Sequence, residues 1–263
     1  MSGAQRIAAL STEAVETLYL IGAQDRLVGI SGFTVHPPEA RREKPKVSGY
    51  SSAQLERILA VRPDLVIAFS DMQADLCAQL VRAGLEVHVF NQRDLAGMLR
   101  MVRTVGALAG AAAAADALAD RLQRQIEQAA ATAVAQRPRV WFEEWHEPLI
   151  SGIGWVSELV TLAGGEDCFP ELAAQPKARD RIIADPATVL ARRPDIVLGS
   201  WCGRKFQPAT VAARPGWSGL PAVRDGWVRE IKSPDILSPG PGLLTRGLPQ
   251  LQALFQAWRE ARP

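Results

Sequence analysis

The sequence predicts an α/β protein of two similar lobes, each with a mostly parallel sheet, joined by one long backbone helix, with a ligand cleft between the lobes. Three observations lead there. A helix-then-strand phrase occurs twice, as "LERILAVRPDLVIAFS" (residues 55–70) and "ATVLARRPDIVLGSW" (residues 187–201). Short apolar runs alternate with amphipathic stretches at the spacing of βαβ units. Residues 95–136 hold many alanines, the best helix formers, and no proline. The expected division is residues 1–108 for an N-terminal α/β lobe, 109–137 for the connecting helix and 138–263 for a C-terminal α/β lobe.

Each element has its own signal. "RIAAL" (6–10) is an apolar run suited to a buried strand. The helix after it has Ser11 or Thr12 as N-cap, apolar Val15, Leu18, Tyr19 and Ile21 at helical spacing, and Gly22 as its stop. "LVGIS" (27–31) is the next strand, and residues 32–52, rich in Gly, Pro, Ser and charge, read as a long surface loop. A helix over 53–61, a strand over 64–70, a helix over 75–83 and a strand over 86–90 complete the first lobe. A helix over 95–108 precedes a longer one over 111–136, whose stripe of Leu118, Leu122, Ile126 and Ala129 faces a core. About 25 residues at 1.5 Å each would span roughly 38 Å. Strands follow at 139–145, 195–201 and 227–232, with helices at 154–165, 186–191 and 243–259. Residues 14–29 and 155–169 also echo each other: a helix, a glycine stop, then an acid. In the repeated Arg-Pro-Asp, Pro ends the helix and Asp begins the strand, a structural role.

Composition excludes several classes. A net charge of +2 gives no field for nucleic acid or anionic membrane. No run approaches the 18 apolar residues of a membrane span. The N-terminus does not read as a secretory signal, since Glu13 and Glu16 interrupt it early. Met1 as the natural start would therefore mean the cytoplasm. Cys77, Cys168 and Cys202 form no C-x-x-C; a Cys168–Cys202 disulfide stands as an alternative to the expected buried free thiols.

The stretches "LIGAQDRLVGIS", "HPPEARREKPKVSGYSSAQLERILAVRPDLVIA", "PLISGIGWVSELVTLAGGEDCF" and "VLARRPDIVL" give the chain its resemblance. It resembles the class III periplasmic substrate-binding proteins of the helical-backbone type, and among these the vitamin B12 (cobalamin) binding proteins of ABC importers. The resemblance implies a periplasmic, non-enzymatic, monomeric protein with no intrinsic cofactor. Such a protein carries cobalamin, a cobalt corrinoid, to the permease of an ABC transporter at the membrane. It also implies docking by an acidic residue on each lobe. Glu56 matches the first position; at the second the aligned residue is Ala187, with Asp185 two places earlier.

The side chains bear on the ligand. His36, His88 and His146 are too few for a bare metal site, and His88 alternates inside a strand. Ferric siderophores favour arginine clusters, which Arg179, Arg181, Arg204 and Lys205 could supply. Haem asks for a Tyr or His axial ligand. A corrinoid suits aromatic walls with a few polar groups. The candidate ligand-binding residues are Phe33, Tyr50 and Phe69 on the first lobe, the first two placed there by the resemblance. On the second they are Trp145, His146, Trp155, Trp201 and Phe206, with Ile236 and Leu237 from the Pro/Gly-rich loop 233–242. Trp141, Trp217, Trp227 and Trp258 read as packing. The rival reading is a cytosolic corrinoid-handling protein, or an enzyme on the same frame. The enzyme would use Glu143, Glu144, His146 and Glu147 as general acid and base. No HExxH motif or nucleophile elbow accompanies them.

Overall fold

The computed structural model describes residues 3–49, 55–132 and 134–262. The chain forms two compact units, Met1–Arg124 with Pro239–Pro241, and Gln125–Ser238 with Gly242–Pro263.

The N-terminal unit is built on five parallel strands, β1 (Ile7–Ala9), β2 (Leu27–Ser31), β3 (Lys46–Ser48), β4 (Leu65–Phe69) and β5 (Val87–Phe90), in the order β3-β2-β1-β4-β5. Its helices are α1 (Thr12–Leu20), α2 (Pro38–Glu43), α3 (Leu55–Ala60), α4 (Ala74–Arg82) and α5 (Leu95–Leu108). All of β1 and β4 is buried, as unbroken apolar runs in a sheet covered on both faces should be. Residues 32–49 are not one long loop. They hold α2, with Pro38 in its first turn, and the edge strand β3, whose three residues carry a single valine and so no strand signal.

Helix α6 (Ala112–Ala131) starts in this unit and ends in the next. It is shorter than the sequence suggested: 20 residues, about 30 Å. Thr132 closes it by turning its hydroxyl back onto the Gln128 carbonyl at 3.0 Å.

The C-terminal unit has β6 (Arg139–His146), β7 (Leu149–Ser151), β8 (Glu166–Asp167), β9 (Ile182–Ile183), β10 (Ile196–Gly199) and β11 (Val228–Glu230) in the order β11-β10-β6-β7-β9, with β8 beside the start of β6. Here β10, β11 and β8 run parallel to their partners, whereas β6–β7 and β7–β9 are antiparallel. The strands β7 and β9 carry no periodic signal in the sequence, having three and two residues. The helices are α7 (Gly154–Leu162), α8 (Pro170–Ala173), α9 (Ala187–Arg192), α10 (Pro208–Ala212), α11 (Pro221–Arg224), α12 (Ser233–Ile236) and α13 (Leu248–Glu260); α13 is entered through a π turn at Leu243–Gly247. Trp141, Trp201, Trp217, Phe169 and Phe206 share this unit's core. The three cysteines are free; Cys77 and Cys168 are buried, whereas Cys202, against expectation, is exposed. Among the described residues no helix is long and apolar enough to cross a membrane.

The repeated phrase does the same work in both units. Arg62 and Arg193 end their helices in the left-handed region, at φ 44° and 48°. Two residues on, the Asp64 carboxylate accepts the amides of Gln5 and Arg6 at 2.8 and 2.9 Å, and that of Asp195 accepts the Arg139 amide at 2.9 Å. The Asp64 and Asp195 amides in turn donate to the Arg6 and Arg139 carbonyls, both at 2.8 Å. Each aspartate thus clasps the head of the central strand. Replacing Arg193 by Gly, which has no Cβ to strain, should leave stability unchanged or raise it by up to about 1 kcal/mol, whereas Arg193→Val should lower it by about 1–2 kcal/mol, read by urea denaturation.

Candidate functional site

Ligands of open α/β sheets bind beyond the carboxyl ends of the strands. Each unit presents one such surface.

In the C-terminal unit the pairing of Gly199 with Glu143 brings the ends of β10 and β6 together. Glu143 is wholly buried. Its carboxylate accepts from the indoles of Trp141 and Trp201 at 3.2 and 3.0 Å and from both arms of Arg214 at 2.6 and 2.8 Å. Arg214 also lies over the Trp217 ring at 4.6 Å. Four donors and an opposite charge offset the desolvation of the acid, and in doing so fix the Trp201 ring. Phe206 meets Trp201 edge-on at 4.9 Å and fills the space over Gly199, where a Cβ would fall 1.8 Å from its ring.

His146 stacks on Trp201 at 4.2 Å and 26°, and Trp145 meets it edge-on at 4.9 Å. Arg204 lies 3.0 Å from His146 Nε2. A guanidinium only donates, so Nε2 accepts and the ring hydrogen of neutral His146 sits on Nδ1, an atom buried without a partner. The surface therefore consists of the half-buried Trp145 and His146, ringed by exposed Glu147, Cys202, Arg204 and Lys205.

The remaining expectations fall elsewhere. Trp201, Phe206, Trp155 and Ile236 lie in the interior, at 3%, 2%, 4% and 0% exposure. Trp155 donates its indole hydrogen to the Ile236 carbonyl at 2.9 Å. These four form a support rather than an open face. Glu144 is held by both arms of Arg181 at 2.7 and 3.0 Å, and Arg181 also donates to the Ser151 carbonyl. Glu143 and Glu144 are thus both committed to arginines, and Arg181 is withdrawn from the cluster of cations expected at the surface. Glu147 contributes its carbonyl to the Trp145 indole at 2.9 Å.

In the N-terminal unit the loop after β2 displays Phe33 and Val35, 55% and 39% exposed. Arg41 holds that loop by donating to the carbonyls of Gly32 and Thr34 at 3.2 and 2.7 Å. After β4 a sharp turn at Ser70, φ 66°, displays Met72, 58% exposed. Gln73 ties the strand ends together, accepting from the Phe69 amide at 3.0 Å and donating to the Leu10 carbonyl at 3.3 Å. Phe69 itself is buried, with Arg93 over its ring at 5.4 Å. Tyr50 lies outside the described residues. Val35 and Met72 were not anticipated: a lone aliphatic residue in a polar loop carries no periodicity, and only its place after a strand marks it. Glu56, in the first turn of α3, and Asp185, which accepts the Ala187 amide at 2.9 Å ahead of α9, are both exposed. Among the described residues no three His, Cys, Asp or Glu side chains could hold a metal ion together.

A family model described as "Periplasmic binding protein" matches residues 7–234. The chain is 26% identical over 245 residues to a vitamin B12-binding protein of Vibrio parahaemolyticus serotype O3:K6 (strain RIMD 2210633), covering 91% of this chain and 86% of that one. The structure of a periplasmic heme-binding protein, BhuT, in complex with two hemes superposes with a TM-score of 0.81 at 26% identity, covering 96% and 98% of the two chains. The periplasmic vitamin B12 binding protein BtuF of Vibrio cholerae superposes with a TM-score of 0.76 at 22% identity, over 99% of this chain and 100% of that one, a likeness of fold.

Removing one side of the buried Glu143–Arg214 pair leaves the other charged and unmatched. Glu143→Ala should destabilise the protein by about 3–5 kcal/mol in urea denaturation, with a shift in tryptophan emission as Trp141 and Trp201 lose their acceptor.

Proposed function

The chain belongs to the periplasmic binding protein family, and from that premise we propose that it captures a cobalt corrinoid, cobalamin foremost, and delivers it to the permease of an ABC importer in the periplasm. The likeness to a vitamin B12-binding protein along 91% of the chain carries this reading. The surfaces at the strand ends support it. Each by itself, Phe33 with Val35 and Met72 in the N-terminal unit and Trp145 with His146 in the C-terminal unit, offers apolar area of the kind that suits the apolar edges of a flat macrocycle. Burying apolar area at about 25 cal/mol per Å² supplies affinity, and polar groups at the rim set orientation. No covalent step is required of the protein. Glu56 and Asp185 are the proposed contacts with the permease.

One observation favours a second reading. His146 stands beside the exposed cations Arg204 and Lys205, and its Nε2 has a lone pair to give once Arg204 turns from it to a ligand's carboxylate. That combination suits haem, with an iron to ligate and carboxylates to pair, and BhuT is a haem-binding neighbour.

Calorimetry and visible spectra with hydroxocobalamin and haemin decide between them. Cobalamin should bind, and Phe33→Ala and Trp145→Ala should each weaken it about tenfold, about 1.4 kcal/mol. Tighter binding of haemin than of cobalamin, lost in His146→Ala, would replace the corrinoid reading with the second.

A further inference from the structure

Apart from the strand-end surfaces, the N-terminal unit buries an acid that no cation among the described residues pairs with. Glu13, in the first turn of α1, is 4% exposed. Its Oε2 accepts from the Thr12 hydroxyl at 3.2 Å, whereas Oε1 is buried without a partner. Against its Cα and Cβ lies Gly240 of Pro239–Pro241, a strap that comes from late in the chain yet belongs to the N-terminal unit. Gly240 seats so closely that a Cβ there would lie 2.5 Å from Glu13 Cβ. Gln92 fastens the strap by donating to the Pro239 carbonyl at 3.0 Å, and the other end of that amide, Oε1, is buried without a partner.

Two acceptor oxygens therefore go unpaired where the strap touches down. A protonated Glu13 brings a hydrogen to donate; an ionised one brings a desolvated charge and no donor. The surroundings offer the charge its own amide and hydroxyls, which burial outweighs. Glu16, on the same helix, is the charged group acting on Glu13, and it is of like sign. Ser11 and Thr12 contribute hydroxyls, α5 sets Met101 against Thr17 in the turn that follows, and the strap and Gln92 are uncharged.

We propose that Pro239–Pro241 is a proton-held strap, seated on the N-terminal unit while Glu13 is neutral and released when Glu13 ionises. Burial, the largest cause, raises the Glu13 pKa to about 7. With the strap lifted the group returns toward its ordinary value of 4.5. Seating is then fullest below that ordinary value and is lost progressively as pH rises through about 7. The strap is flanked on both sides by residues of the C-terminal unit, at 238/239 and 241/242.

Gly240 carries the strap's only amide hydrogen, since proline has none. Its hydrogen exchange and the Glu13 carboxyl titration, both by NMR across pH 5–9, test the idea. Glu13 should titrate near 7. After correction for intrinsic chemistry, exchange at Gly240 should rise about tenfold between about pH 6 and 8 and then level off. Glu13→Gln, permanently neutral, should remove the step. A Glu13 midpoint in the ordinary carboxylate range, no step at Gly240, or the same step in Glu13→Gln each overturns the proposal. Should Glu13→Gln fail to fold, the wild type decides alone: the Glu13 titration and the Gly240 step share one midpoint, or the strap is not held by this proton.

Discussion

Each sheet is pinned at one place, where an aspartate at the head of β4 or β10 takes up backbone amides at the head of the central strand. Parallel neighbours cannot set their register through a tight turn, because the connection between them is a helix and two loops long. A carboxylate clasp supplies the missing reference point. Asp64 fixes β1 against β4, and Asp195 fixes β6 against β10. Arg6 strengthens the first by donating to the carbonyls of Val61 and Arg62 at the end of α3, and Arg139 reaches Asp195 itself at 3.4 Å. With the heads level, the tails are level too: Gly199 stands beside Glu143, and the Ser200 amide reaches the Glu143 carbonyl at 3.0 Å. Everything at the open end of the second sheet is placed from that starting point.

The two strand-end surfaces are held by different physics. In the C-terminal unit a buried carboxylate gathers two indoles and a guanidinium, so the Trp201 ring has one orientation and His146 has a flat, fixed support. Such a surface is preorganised. In the N-terminal unit Phe33, Val35 and Met72 stand on loops whose backbones are tied by Arg41, Ser70 and Gln73 while their side chains project outward. An unbranched methionine and an exposed phenylalanine keep their freedom to turn there. One surface is thus rigid and the other adaptable.

Much of this architecture was legible in the sequence because it rests on local pattern. The twin phrase, the glycine stops and the apolar runs name most strands and helices, and the duplicated Arg-Pro-Asp points to the same joint in each lobe. What escaped depends on partners distant in the chain. Trp155, Trp201, Phe206 and Ile236 were expected to face a ligand, and all four lie inside; the indoles are held there by the Ile236 carbonyl and the Glu143 carboxylate. Position after a strand locates a side chain at the right end of the sheet but does not say whether a second layer of chain covers it. The antiparallel edge of β7 and β9 and the edge strand β3 were too short for any period to register.

The contrast between Glu143 and Glu13 shows what decides the role of a buried acid. Both are at least nine-tenths enclosed, and both sit at the carboxyl end of a central strand or just beyond it. Glu143 meets four donors, two of them from a cation, so its charge is matched and it behaves as a fixed joint. Glu13 meets only neutral donors, the Thr12 hydroxyl among them, and a like charge a turn away. Desolvation is common to the pair; the supply of donors is not. The acid with a full set of partners orders aromatic rings. The one left short must hold a proton instead, and any segment resting on it inherits that dependence on pH.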